Sequence, residues 1–171
     1  MARRSGQRHA GNIDLLTRLG TSLNAVGVTL PEDFVEFYSW DGWADELDRG
    51  SVTGCWTSLG PLPTFSPVEP GAFLVRFLSD QQDCVVWYLY LRQGEPACVV
   101  HAFDLESDYG HDQESGVIYQ CASTFEEFAY RFWAENRIWH HLHDSNPGEL
   151  PPRFASYLAH YPQPSAPNPA L

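Results

Sequence analysis

The run Cys84-Val85-Val86-Trp87-Tyr88-Leu89-Tyr90-Leu91 decides how this chain folds. It is apolar without a break and rich in β-branched and aromatic residues, as a central strand covered on both faces requires. Arg92-Gln93-Gly94-Glu95 then reads as a hairpin turn, and Ala97 to Phe103 as the returning strand. Upstream, Phe73, Val75 and Phe77 alternate with Leu74, Arg76 and Leu78, which predicts a further strand. Downstream, Val117 to Cys121 supplies a candidate fourth. The natural topology is an antiparallel meander.

Helices flank this sheet. Asn12 is a suitable N-cap, and Leu15, Leu16, Leu19, Leu23 and Val26 follow at helical spacing, with Gly27 as the stop. Pro31 suits the first position of a second helix, where its missing N–H has no partner to lose. Glu32 and Asp33 complement the dipole of that helix, Phe34, Phe37 and Tyr38 share one face, and Asp41-Gly42 closes it. The four prolines between residues 60 and 71 predict an irregular connection. Ser123-Thr124-Phe125-Glu126 has the pattern of a capping box. It opens a long helix whose stripe Phe125, Phe128, Ala129, Phe132, Trp133 and Trp139 should pack on the sheet. A last short helix is expected over 153–161. The order helix, helix, meander, helix defines a single α+β domain, a twisted and mostly antiparallel sheet backed by helices. We expect a flexible basic tail at 1–11, the domain at 12–145 and a Pro-rich extension at 146–171.

Composition bounds the function. Hydrophobic residues make up 43% and aromatics 14% of the 171 residues, enough to build a core. The net charge is -12, and Arg3, Arg4 and Arg8 lie in a first stretch of ten residues without an acid, so the body is more acidic still. Such a surface repels phosphate backbones, which argues against nucleic acid, and attracts basic partners. No apolar stretch is long enough to span a membrane, and no apolar segment follows the N-terminal arginines as in a signal peptide. Cys55, Cys84, Cys98 and Cys121 form no CxxC pair and read as reduced core residues of a cytoplasmic protein.

No catalytic constellation stands out. The chain has no GxSxG elbow, no P-loop and no GxGxxG, and no cysteine sits in a recognisable catalytic context. The acidic stretch from Asp104 to Glu114 fails the register of a calcium loop. Its sixth position is Tyr109 in place of Gly and its twelfth is Ser115 in place of Glu. It reads either as a solvated loop or as a docking surface, with Asp104, Glu106, Asp108, Asp112 and Glu114 as the charges and Tyr109 as an aromatic anchor. A second acidic group, Asp41, Asp45, Glu46 and Asp48, lies beside Trp40 and Trp43, and the two indoles fit an interface or a cap on the core. His140, His141 and His143 lack the distant fourth partner that a zinc site needs and suit the C-terminus of a helix. His101, in an apolar strand, reads as a satisfied core histidine. No metal or cofactor is expected.

Three separated segments resemble the SUKH superfamily. Leu30-Pro31-Glu32-Asp33-Phe34 through Phe37-Tyr38 to Asp41-Gly42 is similar to its signature helix. Trp87-Tyr88-Leu89 and Val99-Val100 around a Gly turn resemble its central hairpin. Ala122-Ser123-Thr124-Phe125-Glu126-Glu127-Phe128 resembles the start of its closing helix. Asp41-Gly42-Trp43 departs from the usual Asn-Gly and small residue, and the Pro-rich tail lies outside the usual pattern. The resemblance implies an α+β domain without a catalytic motif. It also implies an immunity protein that neutralises a toxin, often a nuclease, by stoichiometric occlusion. Two other readings follow: a regulatory adaptor, as in the yeast cell-wall-synthesis regulators of the superfamily, and, with least support, a metal-dependent enzyme built on the histidines and the acidic loop.

Overall fold

A computed structural model describes residues 8–103, 105 and 117–160. Their elements run α1 (Ala10–Asn24), α2 (Glu32–Ser39), α3 (Trp43–Gly50), β1 (Trp56–Thr57), β2 (Thr64–Phe65), β3 (Phe73–Ser79), β4 (Val86–Leu91), β5 (Cys98–Ala102), β6 (Tyr119–Ala122), α4 (Phe125–Leu142) and α5 (Pro152–Ala159). All strand pairings are antiparallel, in the order β1-β3-β4-β5-β6, and β2 pairs with the opposite end of β3. The α+β class and the meander are therefore those expected. The strand at the centre falls within the apolar run but starts at Val86: Val86, Tyr88, Leu89, Tyr90 and Leu91 are all buried, while Cys84 lies before the strand and is exposed.

The sheet has two dissimilar faces. Against the helices it presents Phe73, Val75, Phe77, Leu78, Leu89, Leu91 and Val99, which meet Leu16, Leu19 and Leu23 of α1, Phe34, Phe37 and Tyr38 of α2, and Phe125 and Phe128 of α4. The other face buries Leu74, Val86, Tyr88, Tyr90 and Val100, with Leu105 and Ile118 packed against them. Strict alternation would put Leu78 on that second face. The register of β3 against β4 instead slips between Arg76 and Leu78, so Phe77 and Leu78 both join the helical core. A bulge of this kind inserts one residue and bends the strand. The Phe77 carbonyl at the bulge accepts from the Ser58 N–H at 3.0 Å and from the buried Tyr38 hydroxyl at 3.2 Å.

Local corrections each have a physical cause. Helix α1 starts two residues before Asn12: His9 is the cap, its Nδ1 accepting from the Asn12 N–H at 3.1 Å, while the Asn12 amide reaches the Tyr38 carbonyl. Val26 is exposed. Pro31 caps α2 from just outside the helix. The cap of α4 is Thr124, not Ser123; its Oγ1 accepts from Glu127 N–H, and the Glu127 carboxylate accepts from Ser123 N–H at 2.8 Å. Trp139 leaves the stripe of α4. It is exposed and stacks on His143 at 3.9 Å, and Asn136 and Ile138 are buried on that helix instead. Helix α5 buries Phe154 against Ala134 and Ile138 of α4. Helix α3 and the short strands β1 and β2 are additions to the sequence reading. No described helix is long and apolar enough to cross a membrane.

Candidate functional site

Helices α2 and α4 meet through their N-terminal turns. Asp33, in the first turn of α2, accepts from the Phe34 N–H with one oxygen (2.8 Å) and from the Glu126 N–H of α4 with the other (3.0 Å). One carboxylate thus serves the positive ends of two helices, where anions are favoured. Beside this joint Gly42, at φ 85°, turns the chain into α3 and brings Trp43 back over Phe37, ring centroids 5.7 Å apart. That backbone conformation costs glycine little.

The result is a groove of about 680 Å³ between α2, α3 and α4. Phe37, Trp43, Phe125, Ala129 and Tyr130 supply its apolar lining, and Asp33, Glu36, Glu126 and Glu127 its carboxylates; no basic side chain among the described residues lines it. The four acids are not equivalent. Asp33 is committed to the helix joint, and Glu127 to Ser123 N–H, with Arg131 at 3.7 Å. Glu36 and Glu126 are exposed and form no ion pair or side-chain hydrogen bond with a described residue. A smaller hollow of about 380 Å³ lies across Asp33, but it is lined largely by turn residues and includes Arg92.

The acidic group at 41–48 divides. Trp43 is half-buried and lines the groove, so it acts both as cap and as surface. Trp40 is covered by Arg8, whose guanidinium carbon sits 5.4 Å from the ring centre, and the two residues form a β-bridge. Asp41 is exposed on the turn. Asp45 pairs with Arg49 at 3.8 Å and Glu46 with Arg137 of α4 at 3.1 Å. Asp48 turns inward, accepting from the Thr57 N–H (2.7 Å) and hydroxyl (2.9 Å) and so tying α3 to β1. Burial raises the Asp48 carboxyl above the usual aspartate range, although both Thr57 bonds pull it down. Asp104, Glu106, Asp108, Tyr109, Asp112 and Glu114 lie outside the described residues.

The histidines diverge. His140 meets the Gly50 carbonyl at 3.1 Å, His141 that of Gly148 at 3.0 Å and His143 that of Trp139 at 2.8 Å. Among the described residues no three His, Cys, Asp or Glu side chains gather as a metal site would require. His101 is only half-buried and stacks on the exposed Tyr119 at 5.3 Å, so it is not a core histidine. All four cysteines are free, but only Cys55 is fully buried and Cys84 is exposed. Cys121 donates to the Val99 carbonyl, and burial pushes its thiol up to about 11, away from thiolate chemistry.

Sequence reading missed the groove because its halves lie far apart in the chain. In sequence Asp33 reads as a dipole acid and Glu126 as a capping acid, and only the crossing of α2 and α4 brings them to one rim with Glu36 and Glu127. The one available signal was a pair of acidic helix starts, each followed by aromatics. Compared with protein-family models, curated proteins and solved structures, the chain matches none.

Proposed function

We propose that this is a non-enzymatic protein-binding domain of the SUKH type, an immunity protein that holds a basic toxin domain in a stoichiometric complex. The observation that carries the reading is the α2–α4 groove, an apolar hollow with a carboxylate rim and no base among its described lining. Apolar area supplies affinity once desolvated, while the rim steers a basic partner and rejects an acidic one. Two of the three segments that resemble the superfamily, around Leu30–Gly42 and Ala122–Phe128, are the ones that build this groove. Binding without turnover suits a site whose carboxylates form a rim and whose one aliphatic hydroxyl, Thr124, is spent on capping α4.

The test is affinity capture from source-cell lysate at low and high salt, with the wild-type chain and a Glu36→Gln/Glu126→Gln variant as baits. A basic toxin domain retained by the wild type at low salt, released by salt and lost with the variant supports the reading. An acidic or salt-insensitive regulatory partner would move the assignment to the adaptor class.

A further inference from the structure

Resting on that reading, we propose that the groove is a receptor for an arginine side chain on a short segment of the basic partner, its guanidinium lying against Trp43 and Tyr130 and pairing with Glu36 and Glu126. The charges favour a cation, since the charged side chains among its described lining are all carboxylates. The division of labour among them says where it goes. Asp33 and Glu127 already accept backbone N–H groups, whereas Glu36 and Glu126 stand on facing helices with no described partner. The floor favours arginine over lysine. Guanidinium is planar, weakly hydrated and stacks on aromatic faces, and its fork offers separate donors to two carboxylates. Ammonium is compact and strongly hydrated and gains less from an apolar floor. A volume of about 680 Å³ leaves room for the backbone that presents the side chain.

The molecule displays this chemistry nearby. Arg8 lies over Trp40 at 5.4 Å, at the C-terminal end of α2, and Arg153 lies over Trp133 at 5.3 Å. Trp43 differs in that no cation of the described chain lies over it, while Phe37 backs one side of its ring.

The experiment titrates the full chain with hexa-arginine and hexa-lysine peptides by calorimetry at low salt, following the Trp43 indole N–H by NMR. The variants are Glu36→Gln/Glu126→Gln and, as a control, Asp41→Asn/Asp45→Asn, which removes the same charge from the adjoining turn. Expected are a Trp43 indole shift on binding, a loss of about tenfold in affinity in the groove variant, and a smaller loss in the control. Hexa-lysine should bind about threefold more weakly than hexa-arginine. Equal losses in both variants, or equal affinity for both peptides, overturns the arginine receptor but leaves binding of a basic protein standing. Absence of hexa-arginine binding at low salt overturns both.

Discussion

Acidic side chains do opposite work at the α2–α4 groove and at the α3–β1 junction. At the junction Asp48 is turned inward and spends its carboxylate on Thr57, which holds a short helix against the sheet. At the groove Glu36 and Glu126 are exposed and committed to no described residue. The first carboxylate is part of the fold, and the other two are free to meet another molecule. A residue type and its neighbours in sequence do not separate these roles; the donors that reach each oxygen do.

The contrast can be broken first at the residue the two functions share. Phe125 is buried, packs on Phe34, Phe37, Tyr38 and Phe77, and also floors the groove. Phe125→Ala should cost about 3–5 kcal/mol in urea unfolding and abolish binding with it, because floor and core are one object. At the junction, Asp48→Ala should cost about 1–2 kcal/mol by leaving the Thr57 N–H and hydroxyl without their acceptor. Asp48→Asn keeps an acceptor and removes the buried charge. The raised Asp48 value means that the folded state binds this proton more tightly than the unfolded chain does. Its contribution to stability therefore falls as pH rises from the ordinary aspartate value through the raised one. Urea midpoints across that window should fall in the wild type relative to Asp48→Asn, and a variant with the same slope would refute this origin.

The remaining changes sharpen the comparison within the groove itself. Asp33→Ala removes the shared acceptor of two helix ends and should cost about 1 kcal/mol, read as a lower thermal midpoint. Glu36→Gln/Glu126→Gln should change stability by less than about 0.5 kcal/mol while losing the partner, since both residues are on the surface. A stability loss as large as that of Asp33→Ala would mean that these two carboxylates also belong to the fold.

Particular elements explain what the sequence disclosed. The strand at 86–91 was legible because every position is apolar, and the strands on either side followed from the Gly94 turn and from alternation. Helix α3 was not legible: in Trp43-Ala44-Asp45-Glu46-Leu47-Asp48-Arg49-Gly50 only Leu47 and Gly50 are fully buried, and bonds to Thr57 and Arg137 from outside the helix hold it. Two-residue strands such as β1 carry no period at all. Trp43 reads in sequence as an interface residue or a cap; it packs on the core as a cap and leaves part of its ring in the groove. Trp40 was expected beside it, but Arg8 covers its ring. Glu36 and Glu126 were invisible as a pair, because their proximity depends on a contact between residues 33 and 126.

The most direct test of the central claim is calorimetric titration of the captured partner with the wild-type chain and with Glu36→Gln/Glu126→Gln, each at low and high salt. One-to-one binding that weakens with salt and weakens further in the variant is the expected result. Affinity that is unchanged by both salt and the variant would contradict it.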